Sequence, residues 1–137
     1  LEVLETLGVP VMAYAQDTFP AFWSATSTLK APLRADAPSD IAKAHAMRAA
    51  LGLPGGQLVA NPIPSAAEIP ASDITPMIIR ATADAETHGI TGKALTPYLL
   101  QRIFELTEGR SLDANIALVL NNARLGAQIA QELTSLR

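Results

Sequence analysis

The sequence predicts an α/β fold, an α/β/α layered domain in which helices cover a mixed sheet. In the first half of the chain, short apolar runs bounded by glycine, proline and polar residues indicate buried strands. In the second half, apolar residues recur at the three- and four-residue spacing of helices that pack on a core. A hydrophobic content of 49% with only 17% charged residues indicates a well-buried globular chain.

Composition narrows the class of function. The 137 residues suit one domain of ordinary size. A net charge of −3 gives no basic surface for a polyanion, so we expect no nucleic-acid partner. No apolar run approaches the roughly 18 residues of a membrane helix, so we expect no membrane association. The absence of cysteine excludes disulfides and thiolate ligands, and it fits a cytoplasmic protein.

The first residues have the pattern of a helix that is about to end. Leu1, Leu4 and Leu7 would share one helical face, and Gly8 would end the helix. The chain opens without a methionine and without a signal-peptide pattern. We therefore expect these residues to be a piece of a longer protein.

Two strands and a helix are predicted before the middle of the chain. Val9–Tyr14 is typical of a buried strand, and Leu33–Asp36 of a short edge strand limited by prolines. Pro38–Leu51 is predicted to be a helix, with Asp36 or Ser39 as its N-cap.

Two segments allow either a structural or a ligand-binding role. Phe19–Trp23 holds most of the aromatic residues, and it is either a hydrophobic plug under a loop or a wall on which a substrate stacks. Gln57–Ala60 is a predicted strand that leads into the extended segment Asn61–Pro64. Because ligands bind near the carboxyl ends of strands in α/β sheets, Asn61 either lines a substrate site or caps the turn.

Three helices are predicted in the second half. The first helix is expected to begin with Ser72 as its N-cap and to run to about His88. The second helix is expected to begin with Thr96 as its N-cap and to run to Leu106. Ser111 is the expected N-cap of the third. The predicted core-facing stripe of the third helix comprises Leu112, Ile116, Val119, Ala123, Ala127, Ala130 and Leu133.

An amide lies beside this stripe. Asn115 comes one residue before Ile116, and Asn122 follows seven residues later on nearly the same side of the helix. A buried amide that lacks a partner costs roughly 1–3 kcal/mol. Asn115 therefore either ties the helix to a neighbouring loop or meets a ligand.

No local pattern provides a complete catalytic centre. The two histidines, His45 and His88, fall on different predicted helices with no carboxylate at ligand spacing, so no metal site is expected within this chain. The spacings of serine hydrolases, zinc proteases and dinucleotide-binding loops are absent from the sequence. Judged by its residues alone, the chain is a scaffold that carries a few amide side chains.

Six segments, in order along nearly the whole chain, nevertheless resemble one known family. They are Leu4–Pro10, Phe19–Phe22, Leu33–Asp36, Gly55–Pro64, Gly92–Leu100 and Ser111–Ala123. The chain resembles the C-terminal half of pseudouridine-5'-phosphate glycosidases, also called the indigoidine synthase A-like family. Residues 1–137 would then form the C-terminal, helix-rich part of one larger domain whose N-terminal half is absent.

The resemblance implies an enzyme of nucleoside catabolism, a hydrolase or lyase-type glycosidase. It would reversibly cleave the C–C glycosidic bond of pseudouridine 5'-phosphate to give uracil and ribose 5-phosphate. It implies a homotrimer that uses a divalent metal, typically Mn2+, with a lysine imine and a proton-transferring glutamate. These groups and the metal ligand are expected before Leu1, and Lys93 is not the imine lysine.

The resemblance assigns one catalytic residue to this chain. Asn115 matches the asparagine of the Ser-Leu-x-x-Asn-Ile motif, and its amide offers both a donor and an acceptor for uracil or for an enolic oxygen. One departure from the family is Glu108, where a glycine is usual. A positive φ at Glu108 would introduce backbone strain.

Two alternatives stay open at this point. The chain could be a non-catalytic scaffold that binds a partner chain through a sheet edge. It could also belong to a related sugar-phosphate enzyme that acts on another base.

Overall fold

A computed structural model describes residues 1–136. The helices are α1 (Glu2–Thr6), α2 (Pro38–Ala50), α3 (Ala71–Thr87), α4 (Leu95–Leu106) and α5 (Arg110–Ser135). The strands are β1 (Val11–Tyr14), β2 (Leu33–Ala35) and β3 (Leu58–Ala60), and two short 3₁₀ turns span Ser65–Ala67 and Gly92–Ala94. Within the described residues, no helix combines the length and the apolar character that crossing a membrane requires.

The three strands form a parallel sheet in the order β2-β1-β3. The central strand β1 is almost fully buried, and its Ala13 lies opposite both Arg34 and Ala60. The α/β class is confirmed. The sheet of the described residues differs from the mixed sheet we expected, because β2 connects to β3 through α2 and crosses over β1, a connection that keeps strands parallel. Antiparallel pairing within residues 1–136 is limited to two isolated bridges in the loop after β1.

Two hydrophobic cores stabilise the fold, and α5 contributes to both. The first core lies among α3, α4, α5 and the loops, and it comprises Trp23, Ile63, Ile69, Ile74, Ala81, Ile103, Ala114 and Leu118. The second core lies between the sheet and α2, and it comprises Met12, Ala35 and Ile41, with Ile129 of α5 packed against them. The strongest helix contacts are α2 with α5 and α3 with α4.

The predicted N-caps are wrong by one or two residues. Pro70 precedes α3, and the Ser72 hydroxyl donates to Asp73 instead of accepting from the helix backbone. At α2 the N-cap is Ala37, whose N–H donates to the Asp40 carboxylate. Proline near these helix starts fixes φ without needing a donor, so the helices begin there instead of at the nearest hydroxyl.

Ser111 is not the N-cap of α5 either. The helix begins at Arg110 after Gly109, which has φ of 89°, and Ser111 is buried inside the first turn. The hydroxyl of Thr107 accepts a hydrogen bond from the Ser111 N–H at 3.1 Å and donates to the Ile103 carbonyl at 2.8 Å. The reversal at Gly109 brings the end of α4 back to the start of α5, so a residue of the previous helix performs the capping.

The predicted core-facing stripe of α5 is also wrong. The buried face is offset from it and consists of Ser111, Ala114, Leu118 and Leu125. The expected core residues Leu112, Ile116 and Val119 are 48%, 49% and 56% exposed. The predicted stripe and the observed buried face both have helical spacing. The small residues Ser111 and Ala114 of the buried face allow the bulky Trp23 to pack against α5. One face of α5 is therefore apolar and uncovered by the described residues.

The turn between α4 and α5 contains backbone strain. Glu108 has φ of 53°, a left-handed conformation that is unfavourable for a residue other than glycine. The neighbouring Gly109 needs its own positive φ, and a Cβ added there would lie 3.5 Å from the Phe104 ring. Left-handed backbone costs an L-residue roughly 1–2 kcal/mol, whereas glycine loses roughly 0.5–1 kcal/mol through its greater unfolded-state entropy.

We predict that Glu108→Gly stabilises the chain, because it removes the strain at the cost of some entropy. The expected gain in the free energy of unfolding is about 0.5–1 kcal/mol, measured by urea unfolding.

Gly109→Ala should lower the free energy of unfolding. Its matched control is Gly126→Ala within α5, where an added Cβ meets no atom within 4 Å, and which should instead stabilise the helix. A Gly109→Ala variant as stable as the control would contradict this account.

Candidate functional site

An aromatic turn follows β1 and lies against the start of α5. The turn spans Ala21–Ser24 and is closed by a hydrogen bond from the Ala21 N–H to the Ser24 carbonyl at 2.9 Å. Phe22 at its tip has φ of 62° and is 44% exposed, whereas Trp23 is buried. The Trp23 indole N–H donates to the Ser111 carbonyl at 3.2 Å. Trp23 therefore forms the hydrophobic plug that was one of the two expectations, and Phe22 leaves an exposed aromatic surface beside it.

The aromatic turn, α4 and α5 enclose an open cavity of about 350 Å³. It is lined by Phe22, Trp23, Pro97, Leu100, Gln101, Phe104, Ser111, Leu112 and Asn115, and we call it the Asn115 cavity. Its walls are mostly aromatic and aliphatic side chains, and its polar groups are few. Apolar walls with a small number of placed polar groups are typical of small-molecule sites.

Asn115 is half-buried and lies one helical turn after Ser111. Within residues 1–136, its amide group makes no hydrogen bond to another residue. The neighbouring Gln101 differs, because its amide N–H donates to the Glu105 carboxylate at 3.1 Å. Asn115 thus provides both an amide donor and an amide acceptor to the Asn115 cavity.

The structure places Asn61 in a different cavity. Asn61 directly follows β3, and the register of β3 with β1 puts it beside Tyr14 at the carboxyl edge of the sheet. Its amide N–H donates to the Oδ1 of Asn122 at 3.1 Å, and both residues line a cavity of about 210 Å³. Since Asn122 lies seven residues after Asn115, the two amides are about 10 Å apart along the helix axis.

The tie between α5 and the loop after β3 involves two other amides. The Asn121 amide donates to the Pro62 carbonyl at 3.1 Å, and Asn122 accepts from Asn61. These contacts hold the Asn61–Pro64 segment against the middle of α5. The sequence pattern indicates Asn115 as a residue that could tie this helix to a loop. Asn121 and Asn122 make that tie instead.

A charged cluster behind Gln101 holds α4 against α3. Arg102 lies 2.7 Å from the Asp84 carboxylate and 2.9 Å from the Glu105 carboxylate. Hydrogen bonds from Gln101 and then from Arg102 lower the pKa of Glu105, and the two carboxylates raise the pKa of Arg102. These contacts fix the α4 wall of the Asn115 cavity against α3.

The described residues do not fit a metal site. No group of three histidine, aspartate or glutamate side chains in residues 1–136 lies close enough to hold a metal ion. Among the residues that the structure describes, no basic side chain lines the Asn115 cavity. The chemistry available in this cavity is therefore stacking, apolar contact and hydrogen bonding by one free amide.

Comparison with known proteins identifies the family of this chain. Residues 1–132 match the family described as indigoidine synthase A like protein. The chain belongs to this family. It is 70% identical over 133 residues to the pseudouridine-5'-phosphate glycosidase of Roseobacter denitrificans, covering 97% of this chain and 43% of that protein. It is 65% identical over 135 residues to the enzyme of that name from Jannaschia sp., covering 98% of this chain and 45% of that protein.

Two solved structures share the fold of this chain. A prealnumycin C-glycosynthase, AlnA, in complex with ribulose 5-phosphate is 28% identical with a TM-score of 0.88, and the match covers 98% of this chain and 44% of that one. An indigoidine synthase A-like protein from Thermotoga maritima is 30% identical with a TM-score of 0.82, covering 99% of this chain and 44% of that one. The chain thus spans less than half the length of the relatives that it matches.

The α4 wall of the Asn115 cavity was missed by sequence reasoning. Pro97, Leu100, Gln101 and Phe104 recur at helical spacing, so a signal for one shared face was present in the sequence. That signal does not tell whether the face meets the core or a cavity. Only the reversal at Gly109, which packs α4 beside α5, decides it.

Proposed function

We propose that the whole protein containing this chain reversibly cleaves the C–C glycosidic bond of pseudouridine 5'-phosphate to uracil and ribose 5-phosphate. The observation that supports it most is the name shared by relatives 70% and 65% identical to this chain. The Asn115 cavity supports it independently, because its size and its mostly apolar lining suit a small planar base.

The reaction needs a group that this cavity lacks. A C–C glycosidic bond has no leaving oxygen to protonate, so cleavage needs an electron sink such as an imine between a lysine and the ring-opened sugar. None of the described lysines lines the Asn115 cavity, and Lys93 is exposed on a 3₁₀ turn. We assign the imine lysine and the proton-transferring glutamate to the part of the protein outside this chain.

Asn115 is the catalytic residue that we assign to this chain. Its amide can donate to an oxygen that becomes negatively charged as the bond breaks, and it can accept from an imide N–H of uracil. Such a donor is most effective when it is preorganised and has no competing partner. Two observations support this role: Asn115 lies on a long helix, and it lines the cavity without another hydrogen-bond partner for its amide among residues 1–136.

Asn61 is the substrate-binding residue that we assign. Its place at the carboxyl edge of the parallel sheet supports this role, since ligands of α/β proteins bind at that edge. Its bond to Asn122 uses the amide N–H and leaves the carbonyl oxygen as an acceptor for a sugar hydroxyl.

We further propose that residues 1–137 are the C-terminal part of one larger domain. The match to less than half of each relative supports it, as does the uncovered apolar face of α5 at Leu112, Ile116 and Val119. We expect the whole protein to be a cytoplasmic homotrimer that uses Mn2+. We assign the metal ligands to the remainder of the protein, since residues 1–136 contain no group of three histidine, aspartate or glutamate side chains that could hold the ion.

A second candidate function has support from one comparison. A solved relative with a TM-score of 0.88 is a C-glycosynthase in complex with ribulose 5-phosphate. The same scaffold in this protein could thus join a sugar phosphate to a base other than uracil. Assaying the whole protein with uracil and with other planar acceptors, each with ribose 5-phosphate, separates the two candidates.

We predict that the 137-residue chain alone has no glycosidase activity. The imine lysine lies outside it, and loss of a covalent nucleophile removes many orders of magnitude of rate. The measurement is uracil release from pseudouridine 5'-phosphate, with the whole protein as the positive control. Release by the chain alone at the rate of the whole protein would contradict the assignment, and an inactive whole protein would favour the non-catalytic scaffold.

In the whole protein, we predict that Asn115→Ala lowers turnover by roughly 10²–10³-fold, the usual effect of losing one preorganised hydrogen-bond donor at a developing charge. Asn115→Asp should be nearly as damaging, because it replaces the donor by a negatively charged acceptor. The matched control is Asn121→Ala, which removes the same group from the same helix but breaks a bond to Pro62. The control should lower the melting temperature and retain turnover. If Asn115→Ala behaves like this control, its role is structural.

For Asn61→Ala, we predict a KM for pseudouridine 5'-phosphate raised about tenfold with little change in kcat, since one hydrogen bond used equally in ground and transition states is lost. Asn122→Ala is the control, because it breaks the same amide pair and leaves Asn61 in place. Equal effects of the two variants on KM would show that the pair matters only through the position of the loop.

A further inference from the structure

We propose that Phe22, held by the aromatic turn, is the surface on which the planar base of the substrate stacks, which makes it a specificity-determining residue. The inference rests on the proposed function, and it adds a residue and a ligand orientation to that function. It assigns the base to the Asn115 cavity and the sugar phosphate to the space beyond it.

The backbone of the aromatic turn is the first observation. Phe22 has φ of 62°, a left-handed conformation that is unfavourable for a bulky L-residue. A glycine or asparagine would adopt it more easily, yet the position holds a large aromatic ring that is 44% exposed. Strained residues of this kind concentrate at ligand sites, where the surrounding structure holds them in place.

The attachment of the turn is the second observation. The Ser24 hydroxyl donates to the Ile69 carbonyl at 2.8 Å, and the Trp23 indole donates to the Ser111 carbonyl at 3.2 Å. Ser111 and Asn115 are four residues apart on α5 and therefore share a face. The turn that presents Phe22 is thus bonded to the same helix face that presents the Asn115 amide.

The chemistry of the lining is the third observation. Leu100, Phe104 and Leu112 extend the apolar surface around Phe22, and Asn115 provides the edge with a donor and an acceptor. A pyrimidine-dione ring needs this combination, because its faces favour aromatic contact while its edge carries an N–H between two carbonyls. A phosphate needs basic side chains or free N–H groups at a helix N-terminus. No basic side chain among residues 1–136 lines the cavity, and the N–H groups of Ser111 and Leu112 at the start of α5 already donate to Thr107 and Gly109.

Phe22 is better suited to contact a ligand than the other two rings of the cavity. Trp23 is buried, and its indole N–H already has a partner. Phe104 is less exposed than Phe22, at 38%, and its ring packs beside Gly109 in the turn between α4 and α5. Phe22 meets Trp23 with its ring perpendicular, at 88° and a centroid distance of 4.7 Å, so Trp23 supports it from one side only.

The test uses the whole protein and measures the synthesis of pseudouridine 5'-phosphate from uracil and ribose 5-phosphate. Phe22→Gly removes the ring and keeps the turn, because glycine favours the φ of this position. We expect its KM for uracil to rise at least about tenfold, in line with the usual contribution of a base–aromatic stack, while its KM for ribose 5-phosphate stays unchanged. Phe22→Tyr should restore the KM for uracil.

Two further variants make the result decisive. Leu29→Ala, in the same loop but outside the cavity, removes a side chain of comparable exposure and should leave both KM values unchanged. Phe22→Asn also tolerates a left-handed backbone and replaces Phe22→Gly if that variant fails to fold, as judged by circular dichroism. Direct titration with uracil should show the same loss of affinity as the KM.

An unchanged KM for uracil in a folded Phe22→Gly or Phe22→Asn variant overturns the proposal, as does an equal rise of both KM values. Failure of the proposed function gives a different result, because the unsubstituted protein would then form no pseudouridine 5'-phosphate at all. If it used another planar acceptor instead, the KM for that acceptor should rise in Phe22→Gly, and an unchanged value would overturn the stacking role.

Discussion

The packing of α5 against its neighbours is the constraint on which the rest of this structure depends. The helix spans Arg110–Ser135, about 39 Å at the usual rise per residue, and it reaches both hydrophobic cores. Ala114 and Leu118 belong to the first core, and Ile129 packs against the second. Because one rigid element joins the helical half to the sheet, any residue on α5 has a fixed position relative to both.

The contact between Trp23 and the start of α5 determines which face of this helix is buried. Ser111 and Ala114 are small, so the indole can pack closely and donate to the Ser111 carbonyl. A larger residue at either position would force the aromatic turn away from the helix. The same contact gives the Asn115 cavity its shape, since Phe22 and Asn115 both take their positions from it.

Much of the fold could be predicted from the sequence, because strands and helices leave local signals. The strand Val11–Tyr14 and the helix Pro38–Ala50 lie where the apolar runs and the proline indicated them. The face of α5 could not be predicted, because two stripes of apolar residues both have helical spacing. The choice between them depends on Trp23, which is distant in sequence, and periodicity carries no information about that contact. For the same reason, the separation of Asn61 from Asn115 into two cavities became visible only in the folded chain.

The position of Asn115 around the axis of α5 connects the fold to the proposed function. With about 100° per residue, Asn115 lies about 40° from Ser111 on the buried face and about 40° from Val119 on the exposed apolar face. A helix that is apolar on two faces is typical of the interior of a larger core. The chain covers 43% and 45% of two of its relatives, so the exposed face is available to the rest of the whole protein. Asn115 lies between the buried face and the exposed face of α5, so its amide would lie where this chain meets the remainder of the domain. Binding sites commonly form between two structural units, since each contributes groups that the other lacks. In the function that we propose, this chain would provide the aromatic surface and the amide, and the remainder of the protein would provide the imine lysine.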